Sequence, residues 1–252
     1  MRLYRFALML ILCVFLFGDV MYEMVTTTEG MMGMAGGETK TSVYIKGDYQ
    51  RTEMVSEDQM KGETKTILIT RFDKSVIWAL DPENKEYSEI KLDEGLGAEK
   101  AEEAEEEREF VMPVIKVERT GKKKVLLNKE CEEVIVSMTV EADEGSMDFT
   151  QAMWVTKDIA GYKEISDFSE KMTELGLASS SLGMMKDQKS AEEFQKKIQD
   201  IEGFPLEFTM EINMGTEEMP FSIKTQTLVT KVDKKPISQK LFEVPEGYTL
   251  KE

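Results

Sequence analysis

The segment FPLEFTMEINMG, residues 204–215, alternates apolar and polar side chains without interruption. Phe204, Leu206, Phe208, Met210, Ile212 and Met214 fall on one side; Pro205, Glu207, Thr209, Glu211 and Asn213 fall on the other. A period of two reads as a β-strand with one dry face and one wet face. At roughly 3.4 Å per residue the run spans about 35 Å, well beyond an ordinary strand. So long an apolar stripe needs something to cover it, and that need organises the rest of the reading.

Further strands crowd the chain on both sides. Upstream lie 21–28 (MYEMVTTT), 41–47, 49–56, 64–72, 75–81 and 85–92, then 114–119, 122–127, 132–142 and 146–157; downstream comes 221–232. The connections carry turn chemistry, such as KGD at 46–48 and DPENK at 81–85, where Pro82 suits the second position of a type I turn. No helical crossover separates successive strands, so the pattern is an antiparallel meander rather than a βαβ series. In 146–157 one face holds Met147, Phe149, Gln151, Met153 and Val155, with Gln151 interrupting an apolar row.

Two helices are predicted late in the chain. Over 161–177, Ile165, Phe168, Met172 and Leu175 recur at spacings of three and four. Over 190–203, Ser190 and Glu193 form a capping box ahead of the stripe Ala191, Phe194, Ile198 and Ile201, and Gly203 ends the segment. The C-terminal KKPISQKLFEVPEGYTLKE holds Leu241, Phe242 and Val244 and is expected to pin the chain end on the sheet. Two short helices cannot cover the apolar face of about ten strands. Such a sheet curls on itself, packs on another chain, or keeps a hydrophobic cavity, and curling with a residual cavity is the most economical of the three. The predicted fold is therefore α+β and mainly antiparallel β.

Composition narrows the chemistry. Net charge is −17 and histidine is absent, so the chain lacks the basic face that nucleic-acid phosphates demand. Without histidine, Ser-His-Asp and Cys-His catalysis and histidine-based zinc sites are impossible. No Walker loop or GxGxxG is present, and no spaced Asp/Asn loop matches a calcium site. Cys131 stands among Glu130, Glu132 and Glu133, which would raise its thiol pKa; it reads as a buried structural residue. The chain reads as a non-enzyme with no cofactor and no metal. The 19 methionines include Met21, Met24, Met31, Met32, Met34, Met184 and Met185, a set with thioethers suited to copper(I), against the plainer role of filling irregular apolar space.

Two segments stand apart. Residues 93–109 (DEGLGAEKAEEAEEERE) are rich in glutamate and lack an apolar stripe, so they read as a solvated acidic insertion or as a contact for a basic partner. At the N-terminus, Arg2 and Arg5 precede the apolar run 6–17. As a helix that run measures about 18 Å, short of a bilayer core of about 30 Å. Basic residues before a short apolar stretch read as a secretory signal over 1–18, with a single mature domain over 19–252; a retained N-terminal anchor that associates with the membrane is the alternative.

The phrases VYIKGDYQRTEM (43–54), ITRFDKSVIWALDPENKEYSEI (69–90), GYKEISDFSEKM (161–172), GFPLEFTMEI (203–212) and KPISQKLFEVPEGYTL (235–250) resemble an exported bacterial family catalogued as domain of unknown function forty-four twelve. That family is similar in turn to periplasmic lipoprotein carriers of the LolA and LppX type. The resemblance implies a strongly curved half-barrel sheet, two helices closing its concave face, and a cavity that accepts acyl chains. The acidic insertion 93–109 departs from the family pattern.

The resulting expectation is an exported, periplasmic or extracytoplasmic protein that binds a lipid or lipoprotein acyl chain. The ligand-binding candidates are Phe204, Leu206, Phe208, Met210, Phe221 and Ile223 from the sheet, with Ile165, Phe168 and Met172 from the first helix. The alternative is a structural or interaction protein of the cell envelope that works through its acidic surface. Mass spectrometry of the protein from its native host is expected to find an N-terminus at Asp19; an intact Met1 would contradict cleavage.

Overall fold

The computed structural model describes residues 18–29, 36–58, 62–92, 114–142, 145–175, 196–198, 200–215 and 220–251. The N-terminal apolar run, the acidic insertion, most of the methionine-rich loop and the capping box of the second helix lie outside the described residues.

Twelve strands form one sheet that does not close. In chain order they are β1 (Val20–Glu29), β2 (Gly37–Lys46), β3 (Tyr49–Asp58), β4 (Gly62–Arg71), β5 (Val76–Asp81), β6 (Glu86–Lys91), β7 (Val114–Leu126), β8 (Lys129–Ala142), β9 (Gly145–Thr156), β10 (Phe204–Gly215), β11 (Pro220–Lys234) and β12 (Thr249–Leu250). Their spatial order is β12-β6-β5-β4-β3-β2-β1-β11-β10-β9-β8-β7. Two meanders, β1 to β6 and β7 to β11, are joined where β1 pairs with β11. All pairings are antiparallel except the short β12–β6 contact. The helix α1 (Tyr162–Glu174) lies between β9 and β10 in the chain, as its stripe predicted.

Two strand readings need correction. Residues 114–119 and 122–127 are not separate strands. They form the single strand β7, whose register against β8 shifts between Arg119 and Lys123, with Gly121 at φ +73°. The Thr120-Gly121 pair resembles a turn in sequence, but here it is absorbed as a bulge, which glycine accommodates without steric cost. Nor is the alternation of 204–215 free of slip, because β10 shifts register against β9 between Pro205 and Glu207. Proline has no N–H for the ladder, so a bulge is the natural place for it inside a sheet.

Each face of the sheet has its own cover. On the helix-side face, Ile165 and Phe168 of α1 bury against Val20, Val43 and Ile45. Gly161, which precedes α1, has φ +78°, and a Cβ there would meet the Val20 side chain at 2.6 Å, so the helix start approaches β1 closely only because this residue is glycine. Lys234 binds Glu164 at 2.6 Å and Lys171 pairs with Asp48, which tethers both ends of α1 to the sheet. The predicted second helix is described only in part: 196–198 are helical, and Ile198 and Ile201 pack on the β7–β9 portion of the sheet.

On the opposite face, residues 235–248 run as a strap. Ile237 and Phe242 bury with Met21, Ile69, Trp78 and Leu80. Arg51 donates to the Leu241 carbonyl at 3.1 Å. Arg71 donates to the Phe242 carbonyl at 3.1 Å and pairs with Glu243 at 2.6 Å and Asp73 at 2.8 Å. Its guanidinium also lies 4.6 Å from the centre of the Tyr49 ring. The C-terminus thus pins the chain as expected, but it does so by giving β3 to β6 a second apolar face, where period-two alternation implies a single dry one. Phe242 is fully buried. Its replacement by alanine is expected to cost about 3–5 kcal/mol in urea unfolding, in line with other large-to-small core changes; a loss under 1 kcal/mol would contradict the strap's role.

Candidate functional site

The register of β8 to β11 converts alternation into cross-strand rows. One row on the helix-side face runs Val134, Met153, Phe208, Thr227. The next runs Val136, Gln151, Met210, Thr225, and a third runs Met138, Phe149, Ile212, Ile223. A fourth pairs Met147, Met214 and Phe221. None of these positions is charged. The charged residues of the same strands, such as Glu207, Glu211 and Lys224, occupy the alternate positions and project from the other face.

The structure divides the nine predicted residues among four surroundings. Phe204 joins Ile165, Phe168 and Met172 in the cluster beneath α1, so the helix and sheet candidates do meet there. Phe204 also meets Tyr22 edge-on, with ring centres 5.2 Å apart. Burial pushes the Tyr22 hydroxyl up to about 12, so this ring stays neutral. Leu206 belongs to a different, fully buried cluster with Cys131 and Val229. Phe208 packs with Val134, Met153 and Ile198. Met210, Phe221 and Ile223 are half-buried on the cross-strand rows and lie in none of these clusters.

Of the methionines read as thioether donors, Met21 and Met24 are described. Met21 is buried under the strap and Met24 lies near Val229, on opposite faces of β1. Met31, Met32, Met34, Met184 and Met185 lie outside the described residues.

A separate cleft of about 490 Å³ opens beside the ends of β7 to β9, lined by Arg119, Lys123, Glu130, Glu132, Lys157 and Glu202 among others. Its charges neutralise one another: Lys123 meets Glu130 at 2.8 Å, Arg119 meets Glu132 at 3.5 Å, and Lys157 pairs with Glu202. It contains none of the nine candidates and is too polar to receive an acyl chain. Sequence reasoning missed it because its residues come from the β7–β8 hairpin, the end of β9 and the segment just before β10, which only the fold brings together.

Cys131 borders this cleft but is fully buried, and its Sγ donates to the Lys129 carbonyl at 3.6 Å. Its thiol pKa is raised by burial first, with a smaller push from Glu207, not by the flanking glutamates that the sequence singled out. A maleimide is therefore expected to label Cys131 rapidly in denaturant and negligibly in the native protein; equal rates would contradict the burial.

Residues 27–248 match the family model described as a domain of unknown function (DUF4412). The chain belongs to this family. No curated protein matches the DUF4412 chain in sequence. Among solved structures, it is similar to a putative outer membrane lipoprotein-sorting protein domain from Vibrio parahaemolyticus, at 8% identity over 90% of this chain and 89% of that one, with a TM-score of 0.32. It is also similar to a DUF1329 family protein from Desulfovibrio piger, at 11% identity over 93% of each chain, with a TM-score of 0.33.

Proposed function

We propose that this DUF4412 protein is an exported, non-enzymatic lipid-binding protein, and that the apolar rows of β8 to β11 hold the acyl chain. The observation that supports this reading is the set of uncharged rows on the helix-side face, in which Met210, Ile223 and Phe221 are only half-buried. An acyl chain matches such a surface, gaining about 0.8 kcal/mol for each CH₂ it buries and needing no charged partner. Curvature of the sheet into a half-barrel, with α1 and the 196–201 segment at its rim, would enclose the chain. Phe204, Phe208, Ile165, Phe168 and Met172 then form the floor and one wall, and Leu206 supports them from the sealed core.

Export is part of the same reading. The basic residues Arg2 and Arg5 ahead of the apolar run 6–17 favour secretion, and a lipid carrier outside the cytoplasm has both membranes and lipoproteins within reach. No helix among the described residues is long and apolar enough to cross a membrane.

Native mass spectrometry of protein purified from its own host tests the proposal. The expected spectrum shows lipid-sized adducts that diminish severalfold in the variants Ile223→Glu and Met210→Glu, since a buried carboxylate in the rows costs several kcal/mol. Adduct-free spectra from repeated native preparations, with circular dichroism confirming the fold, would overturn it.

A further inference from the structure

The helix-side face changes chemistry partway across the sheet. The row that begins with Val134, Met153 and Phe208 continues through Thr227, Thr26, Thr39 and Ser56 without a break in register. Its first part is apolar and its second part is hydroxyl. The hydroxyls are organised: Thr26 and Thr227 lie 2.8 Å apart, and Thr39 and Ser56 lie 2.9 Å apart. The neighbouring row repeats the change, passing from Met210 to Thr225 and Thr28.

What the hydroxyl rows lack decides the ligand class. Glu38, Lys40, Glu57 and Lys224 belong to the same strands, but register places all four on the opposite face. Lys40 is occupied there by Glu38 at 3.4 Å and Glu57 at 3.5 Å. A phosphate or carboxylate head group taken out of water requires a cation or several aimed N–H donors, and an ammonium head group requires an acceptor charge. Among the described residues, the positions of Thr26, Thr28, Thr39, Ser56, Thr225 and Thr227 offer neither. Hydroxyls both donate and accept, which suits ester carbonyls and free alcohols. The net charge of −17 further disfavours an anionic lipid.

We infer that the hydroxyl rows of β1, β2 and β3 seat the head of a neutral glycerolipid, with its ester and alcohol oxygens on Thr26, Thr39 and Ser56, the buried Thr227 orienting the Thr26 hydroxyl from beneath, and its acyl chains along the apolar rows. The inference rests on the lipid-binding reading above and narrows it to uncharged head groups.

The test loads delipidated full-length chain with equimolar dioleoylglycerol and dioleoylphosphatidylglycerol, with octadecane as a separate head-less probe, and counts adducts by native mass spectrometry. Dioleoylglycerol is expected to exceed dioleoylphosphatidylglycerol by about tenfold, which corresponds to about 1.4 kcal/mol. The double variant T39V/S56A removes both partners of one hydroxyl pair on β2 and β3, outside the rows of β8 to β11, so it leaves no orphaned polar group in the fold. It is expected to lower dioleoylglycerol retention severalfold and to leave octadecane retention unchanged. Equal retention of the two lipids, or no effect of T39V/S56A, would overturn the neutral-head inference while octadecane binding upheld the apolar site. Failure to retain any of the three probes would overturn both.

Discussion

The pairing of β1 with β11 is the interaction on which the rest depends. Val20–Glu29 is hydrogen-bonded to β2 along one edge and to β11 along the other, so one strand near the start of the chain joins the two meanders into a single sheet. Partners such as Thr26 and Thr227 are about two hundred residues apart in sequence, and closing a loop of that length is entropically costly before any contact repays it. The register shifts between Glu23 and Met24, where β11 carries the extra residue Thr230, so Val232 and Val229 both lie on the helix side opposite Tyr22 and Met24 although they are three residues apart. A one-residue slip would invert every side chain of β1 relative to β11 and bring charges onto the apolar face.

Charge segregation follows from that register. With β1 in phase with both meanders, the uncharged positions of β8 to β11 and the hydroxyl positions of β1 to β3 share one surface, and the charges collect on the other. That second surface is not wasted. Where it would be apolar, over β3 to β6, the 235–248 strap covers it and its carbonyls are held by Arg51 and Arg71. The strap relies on two largely buried guanidiniums, each of which keeps a carboxylate partner: Glu53 at 2.7 Å for Arg51, and Asp73 at 2.8 Å for Arg71. Burying such charges is tolerable only because they are paired and hydrogen-bonded.

Much of this was legible in the sequence, because strand periodicity reports which residues share a face. The alternations of 64–72, 132–142 and 204–215 give strands close to their observed limits, and the stripe Ile165, Phe168, Met172 gives α1. Strand order was not legible, since alternation says nothing about which strand lies beside which; the β1–β11 neighbourhood appears only in three dimensions. The bulges at 119–123 and 205–207 were hidden because a local excess residue and a turn share the same glycine or proline signal. The hydroxyl row escaped notice for a different reason. Threonine is an ordinary strand former, so Thr26, Thr28 and Thr39 look unremarkable until register lines them up with Thr227. Leu206 shows the limit of face arithmetic: beside the Pro205 bulge it enters a sealed cluster, apart from the rows that hold Met210 and Ile212.

The proposed function requires the helix-side rows of β8 to β11 to contact an acyl chain. Methyl-resolved NMR of the isoleucine-labelled protein with bound oleoyl lipid addresses that contact directly. Intermolecular cross-relaxation from the acyl methylenes should reach the methyls of Ile212 and Ile223 and leave Ile135, on the opposite face of β8, untouched. Transfer to Ile135 with silence at Ile212 and Ile223 would contradict it.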